Sequence, residues 1–222
     1  MPPIFFTPDI RIKCPTLQLG CLAAKVEVRP SGPALLQLMD EACGRISREL
    51  ELDAISSLPE IRAAREAYKA CGKKPGRYRP SAEALLRRVV SSKGLYQINN
   101  VVEVINYCSI TAHYSIGGYD AGRIDGPVEM GIGREGEPYE AIARGGLNIA
   151  GLPVLRDRMG PFGSPTSDSE RTSIQEHSQA IWLVFFDFGG SPALRESLLF
   201  AQSLLEQHCS GRAFQIKILT TY

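Results

Sequence analysis

The stretch NNVVEVINYCSITAH, residues 99–113, decides the predicted fold because it carries a strong helical signal. Its apolar residues occur on most sides of a helix, whereas a surface helix would confine them to one stripe. Glu103 and Asn106 are three residues apart and therefore share one face. We expect a helix that is buried on several sides and that offers one small polar face to a site.

Three more helices and a strand are predicted before this stretch. Residues 17–28, LQLGCLAAKVEV, are strand-like. Apolar residues at helical spacing predict helices after the RPSGP breaker at 29–33, after Pro59 and after Pro80. Ser81 is predicted to cap the last of these helices.

The second half of the chain has a strand-rich pattern. Residues 117–157 contain short apolar runs cut by glycines, which is typical of successive hairpins, and 160–173 is a loop by composition. The run IWLVFF at 181–186 suits a strand buried on both faces. A helix opening at Ser191 and an alternating strand at 214–218 would complete a C-terminal β-α-β segment.

These elements predict an α+β fold, in which mixed β-sheets form a sandwich-like core packed against helices. We expect one domain over residues 1–222. Its residues 1–72 would supply a strand and helices that complete the core, and residues 73–222 would bear the pocket. The length and the 44% apolar content are sufficient for one sizeable core.

The composition limits the partners, the location and the cysteine chemistry that we expect for the protein. The net charge is only +1, so a polyanion would have to meet a local patch rather than the whole surface. Neither a secretory signal nor an apolar run of about 18 residues is present, which predicts a cytoplasmic protein without membrane contact. The six cysteines contain no C-x-x-C pair, so we expect reduced thiols, no metal site and no cofactor.

A local basic segment lies at residues 73–93. Seven basic residues face one acid, Glu83, which gives a local excess of +6. Such a segment is either a hydrated surface or a phosphate-binding face. The candidate RNA-binding residues are Lys73, Lys74, Arg77, Arg79, Arg87, Arg88 and Lys93.

Three other patterns carry less information. GIGREG at 131–136 matches G-x-G-x-x-G, but no helix can follow before RGG, so a hairpin turn is favoured over a nucleotide site. His177 and a serine of the 164–169 loop could pair as base and nucleophile, although no G-x-S-x-G elbow is present. The loop SDSERTS at 167–173 is either hydrated or aimed into a pocket.

Several motifs in one order resemble a known family. INNVVEVINY at 98–107 is followed by IGGYD at 116–120, by a hairpin with an acidic-glycine-acidic turn, and by SERTSIQEHSQAIWLVFF at 169–186. Together they resemble the B3/4 domain, the editing domain in the β chain of bacterial phenylalanyl-tRNA synthetase, over about residues 79–190. The first 72 residues and the C-terminal helix and strand look more like stand-alone members of that family.

The resemblance implies hydrolysis of the ester between a wrong amino acid, typically tyrosine, and the tRNA for phenylalanine. A pocket that must hydrogen-bond a hydroxyl discriminates by roughly 10⁴ or more, which editing requires. The family's glutamate that accepts this hydroxyl corresponds to Glu170. The resemblance implies the aminoacylated 3′ end of a tRNA as partner, with no DNA. The implied substrate-binding residues are Ser169, Glu170, Arg171, Asn99, Asn106, Gly117, Gly118 and Tyr119.

Two positions depart from the family pattern. Gly117 stands where the family has a pocket histidine, and Tyr96 stands where it often has a basic residue. In this family the water is thought to be positioned by backbone groups and the terminal ribose of the tRNA, so no catalytic side chain is assigned. The sequence leaves two functions open. One is a trans-editing hydrolase, which could not charge tRNA by itself. The other is a non-catalytic module that binds tRNA or a free amino acid.

Overall fold

The structure is a computed structural model that describes all residues from 1 to 222. The helices are α1 (Pro8–Lys13), α2 (Pro33–Glu49), α3 (Pro59–Ala70), α4 (Ser81–Val90), α5 (Asn100–Ala112) and α6 (Leu194–Cys209). The strands are β1 (Ile4–Phe6), β2 (Gln18–Lys25), β3 (Ser115–Asp120), β4 (Val128–Ile132), β5 (Glu140–Ala141), β6 (Gly145–Gly146), β7 (Pro153–Asp157), β8 (Gly160–Gly163), β9 (Ala180–Asp187) and β10 (Arg212–Thr220). Short 3₁₀ turns lie at Ile55–Ser57, Ala121–Arg123 and Glu170–Thr172.

Two four-stranded sheets form the centre of the fold. The first has the order β1-β4-β7-β8, with β1 parallel to β4 and the other pairs antiparallel. The second has the order β10-β2-β9-β3 and is antiparallel throughout. The predicted C-terminal β-α-β segment is confirmed as β9, α6 and β10, and β2 lies between its two strands.

The two faces of β9 serve two different apolar clusters. Trp182, Val184 and Phe186 point into the cluster between the two sheets. The alternate residues Leu183 and Phe185 point into a cluster shared with α5 and α6. The run at 181–186 is therefore buried on both faces, and the predicted α+β sandwich with a helical layer is confirmed.

The first 72 residues share their core with the rest of the chain. Ile10, Leu17 and Leu19 belong to the same apolar cluster as Tyr119 and Trp182. This apolar cluster spans both parts of the chain, and neither part would keep it alone.

The central helix has the predicted boundaries. Asn99 is its N-cap and accepts a hydrogen bond from the backbone N–H of Val102 at 2.9 Å. His113 ends it with a left-handed φ of 63°. The cap predicted for α4 is wrong: Pro80 occupies the capping position, and Ser81 is the first helical residue, whose N–H bonds to Pro165.

None of the six helices combines the length and the apolarity that a bilayer crossing needs. The GIGREG stretch begins in the last residues of β4 and continues as a turn over 134–137, where Glu137 N–H bonds to the carbonyl of Arg134. The motif is therefore a turn, as expected, but it does not close a hairpin, because β4 pairs with β1 and β7 and the next strand, β5, pairs with β6.

Candidate functional site

Three buried tyrosines hold the loop at 164–168, which connects β8 to the 3₁₀ turn at Glu170–Thr172. The hydroxyl contacts join Tyr68 to Thr166 Oγ1 at 2.8 Å, Tyr139 to the carbonyl of Ser167 at 2.7 Å, and Tyr119 to Asp168 Oδ1 at 2.8 Å. The tyrosines come from α3, the segment before β5, and β3 respectively. The loop that leads to Glu170 is thus fixed by the core and is not a hydrated segment.

Asp168 is the carboxylate of this loop that points inward. It accepts hydrogen bonds from the Tyr119 hydroxyl and from the N–H of Gly118, the latter at 3.1 Å. Removal of the carboxylate from water raises the pKa of Asp168 to about 7, although both hydrogen bonds favour the ionised form. The site therefore contains a carboxyl group that changes charge near neutral pH.

Two glycines make room for the phenol of Tyr119. A Cβ at Gly117 or at Gly163 would overlap the Tyr119 hydroxyl. The ring packs edge-on against Phe162 at a centroid distance of 5.0 Å and lies 5.8 Å from Trp182. The space beside Gly117 is therefore occupied by a side chain of the protein itself.

The three residues after Asp168 have different environments. Ser169 is buried and caps the 3₁₀ turn by accepting from the N–H of Arg171. Arg171 forms an ion pair with Asp157 at 2.8 Å and also donates to the carbonyl of Gly160. Glu170 is exposed, and its carboxylate takes part in no hydrogen bond or ion pair.

The two asparagines predicted for the pocket form no hydrogen bond with this loop. Asn99 is buried and uses its side-chain oxygen to cap α5, while Asn106 is half-buried without a side-chain hydrogen bond. No hydrogen bond or ion pair joins either residue to the Gly118 and Asp168 contact. Helix α5 instead meets β3 through Ile105, which a Cβ at Gly118 would overlap.

The structure does not place all of the predicted substrate-binding residues around one open pocket. Tyr119 is fully buried and fills the space that the prediction left open at Gly117. A cavity beside Asp9 and Arg156 and another beside Thr16 and Tyr222 are lined by other residues. His177 contacts Arg123 at 3.2 Å and forms no hydrogen bond with a serine of the 164–169 loop, so the structure gives no support to the serine–histidine alternative.

Lys73 departs from the predicted set of phosphate-binding residues. It is only 8% exposed, and its ammonium donates to the carbonyls of Asn148 at 2.8 Å and Ala150 at 2.6 Å. Nζ also lies 3.8 Å from the ring centroid of Tyr78. Burial lowers the pKa of this ammonium. Lys73 therefore joins the basic segment to the loop before β7 rather than facing a ligand.

Arg79 and Arg87 also have an acidic partner within the protein, although half of the Arg79 side chain is exposed. Both pair with Glu83, which is fully buried: Arg87 Nε lies 2.9 Å and Arg79 Nε 3.9 Å from its Oε1. Arg65 from α3 adds contacts of 2.8 and 3.1 Å to the same carboxylate. The one acid of the basic segment thus gathers three arginines and explains part of the local charge excess.

The remaining cations of the segment have no acidic partner. Lys74, Arg77 and Lys93 are exposed. Arg88 donates only to the carbonyls of Lys93 and Gly94, and its guanidinium lies 4.1 Å from the ring centroid of Tyr96. We call Lys74, Arg77, Arg88 and Lys93 the basic surface. No group of three or more His, Cys, Asp or Glu side chains is placed to share a metal ion.

Sequence reasoning missed Asp168 and the loop-anchoring tyrosines Tyr68 and Tyr139. The only available signal was an aspartate in a short loop beside a predicted strand that contains Tyr119. Two of the three tyrosine hydrogen bonds join residues 49 or more positions apart. Such long-range contacts leave no periodic pattern in a sequence.

The protein is an α+β domain. In its candidate site, the glycines of β3 and the inward carboxylate of Asp168 precede the exposed side chain of Glu170. The B3/4 domain model matches residues 63–192, which is more than half of the chain. The chain therefore belongs to the B3/4 domain family.

One solved structure is an N-terminal fragment of the phenylalanyl-tRNA synthetase β-subunit from Pyrococcus horikoshii. It is similar to this chain with a TM-score of 0.47 and 10% sequence identity. The match covers 97% of this chain and 50% of that chain, so the present chain spans about half the length of that fragment. No curated protein sequence matches the chain.

Proposed function

We propose that this B3/4 domain is a tRNA-binding module that holds RNA on its basic surface. The observation that carries the proposal is the stack of half-buried Arg88 on exposed Tyr96, which lies beside Lys93 near the end of α4. Cations without acidic partners gain most from neutralising phosphates, because they lose no ion pair when RNA binds. Lys73, Arg79 and Arg87 are not included in this surface, since each already has protein partners.

The Arg88–Tyr96 stack fits a single-stranded base. Tyr96 is 67% exposed although one side of its ring faces a guanidinium. A base can stack on an exposed aromatic ring whatever its sequence, and an adjacent arginine adds a cation–π contribution. The pair would therefore contact an unpaired nucleotide while Lys93 meets a neighbouring phosphate.

Fluorescence anisotropy with a labelled tRNA tests this proposal. We expect affinity to fall steeply with salt, and Arg88→Gln and Lys93→Gln each to lower the slope of log K against log salt by about 1. Tyr96→Ala should cost roughly 1–3 kcal/mol with little change of slope. Arg195→Gln, which removes another exposed arginine, is the matched control. Equal binding by Arg88→Gln and the control would reject the surface.

The second candidate function is hydrolysis of a mischarged aminoacyl-tRNA, with Glu170 reading the side-chain hydroxyl. What favours it is that the Glu170 carboxylate is exposed and unpaired, next to a loop that the core holds still. An ionised carboxylate only accepts hydrogen bonds, which suits a phenol donor such as tyrosine. The non-catalytic alternative keeps the same glutamate as a contact for tRNA or a free amino acid.

Deacylation separates these candidates. The substrates are tyrosyl and phenylalanyl esters of the phenylalanine tRNA, and the proteins are wild type, Glu170→Ala and Glu176→Ala, the last an exposed glutamate nearby in the chain. An editing hydrolase is supported if wild type and Glu176→Ala cleave the tyrosyl ester selectively and Glu170→Ala does not. If neither ester is cleaved by folded protein that still binds tRNA, hydrolysis of these esters is rejected and the non-catalytic module remains.

A further inference from the structure

A polar cavity of about 410 Å³ lies on the outer face of the first sheet. Its walls are Thr7, Pro8, Asp9, Glu129, Ile132, Gly133, Arg134 and Arg156. Glu129 and Arg156 are paired across β4 and β7, and their chain neighbours Val128 and Leu155 point the opposite way into the core. None of the cavity residues belongs to the basic surface or to the Glu170 loop.

Arg156 supplies a buried guanidinium to this cavity, with only 8% of the residue exposed. It donates to Glu137 at 2.5 and 2.7 Å, to the carbonyl of Ile132 at 2.7 Å and to Glu129 at 3.2 Å. These four bonds leave one of its five N–H groups, on Nη1, without a protein acceptor. A Cβ at Gly131 would lie 3.1 Å from Nη1, so a larger residue at this position would crowd the atom.

Two carboxylates of the cavity each retain one oxygen without a donor. Asp9 accepts from the Thr7 hydroxyl and from Ile10 N–H through Oδ1 alone, which leaves Oδ2 free. Glu129 accepts from Arg156 through Oε1 alone, which leaves Oε2 free. Two free carboxylate oxygens in one cavity are suited to a group with several N–H donors and a positive charge.

Arg134 provides the opposite charge in the same cavity. Its side chain is exposed and forms no hydrogen bond or ion pair, although its backbone N–H is bonded to Glu137. Arg134 and the free N–H of Arg156 are suited to an anion, and a carboxylate can accept from both. The cavity therefore offers unpaired acceptors and unpaired donors at once, and only one of its eight lining residues is hydrophobic.

We propose that this cavity binds a free α-amino acid as its zwitterion. The ammonium lies towards Asp9 Oδ2 and Glu129 Oε2, and the carboxylate lies towards Arg134 and Arg156 Nη1. Because Ile132 is the only apolar wall, a small or polar side chain fits better than an aromatic one. The site is separate from the Glu170 loop and does not depend on the proposed tRNA binding.

Isothermal titration calorimetry with glycine and L-serine tests the site, with methylamine and acetate as the two halves of the zwitterion. We expect a Kd of about 1 mM for the amino acids and at least about tenfold weaker binding of either half. Asp9→Asn and Arg134→Gln should each weaken glycine binding about tenfold or more. Arg195→Gln and Glu170→Ala should leave it unchanged.

Three results would overturn the proposal. They are no detectable binding of either amino acid by the folded wild type, methylamine binding as tightly as glycine, or loss of glycine binding in Glu170→Ala. Arg134→Gln carries the test if Asp9→Asn fails to fold, because the Arg134 side chain has no contact that folding requires. Failure of tRNA binding alone would not affect this site.

Discussion

Tyr119 donates a hydrogen bond of 2.8 Å to Asp168, and this contact ties the edge strand β3 to the loop that presents Glu170. The phenol lies in a slot that exists only because residues 117 and 163 are glycines. A tyrosine of the protein thus occupies a carboxylate-lined slot beside the proposed site, and it holds the neighbouring loop in place.

Replacement of Tyr119 by phenylalanine should destabilise the protein by about 1–3 kcal/mol. The variant keeps the ring contacts with Phe162 and Trp182 but removes a hydroxyl donor from the inward carboxylate of Asp168. Urea unfolding measures the change. Tyr222→Phe removes a hydroxyl from a residue that is 93% exposed and should change stability by less than about 0.5 kcal/mol. Equal effects of the two variants would refute the structural role of the hydrogen bond.

Ionisation of Asp168 should lower the free energy of unfolding as the pH rises from about 4 to about 7. Its pKa is about 7 in the folded state, above the value of about 3.9 expected for an unfolded chain. The folded state therefore holds more protons in this window, and the free energy of unfolding falls as pH increases. At pH values well below 3.9 the carboxyl is protonated in both states and contributes no slope.

Asp168→Asn isolates this contribution from the other titrating groups. The variant should show a smaller fall in unfolding free energy between pH 4.5 and pH 7.5 than the wild type, because asparagine does not ionise. Denaturant titrations at several pH values provide the measurement. Parallel pH profiles of the two proteins would show that Asp168 ionises normally and that the slot is more hydrated than its contacts indicate.

Introduction of histidine at Gly117 should destabilise the protein rather than restore a family feature. Any side chain there overlaps the Tyr119 hydroxyl, so Tyr119 must leave its slot or the strand must move, at a cost of about 1–3 kcal/mol or more. Gly76→Ala is a suitable control, since a Cβ at Gly76 has no neighbour within 4 Å. A Gly117→His variant as stable as the control would mean that Tyr119 rotates away at little cost.

Local patterns made the fold predictable, whereas the site depends on contacts that no pattern records. The continuous apolar run at 181–186 and the helical signal over 99–113 each act within a few residues, and the structure places both as expected. Asp168 was missed because its partners are Gly118 and Tyr119, about fifty positions earlier. A pocket beside Gly117 was expected because a sequence does not show that Tyr119, two residues later, turns back over the glycine.

The charge excess of the basic segment could indicate a hydrated surface or a phosphate-binding face, because a sequence does not show which cations have acidic partners. A count of charges treats Arg87 and Arg88 alike, yet Arg87 Nε contacts Glu83 at 2.9 Å and Arg88 stacks on exposed Tyr96. The difference arises from one helical step between adjacent residues. Glu83 is the buried centre of an ion-pair cluster. The sequence does not reveal this, because one of its partners, Arg65, comes from α3 and is remote in sequence.

Removal of the Glu83 carboxylate should therefore affect stability rather than RNA binding. Glu83→Ala leaves Arg65, Arg79 and Arg87 without their shared partner and should cost about 3 kcal/mol, because breaking a buried ion pair costs roughly 3–5 kcal/mol and these arginines are partly exposed. Glu66→Ala removes an exposed pair with Lys69 and should cost at most about 1 kcal/mol in the same urea titration. Since the arginines become more available, tRNA affinity of folded Glu83→Ala should be equal or higher. A weaker affinity would mean that the Glu83 cluster shapes the RNA-binding surface.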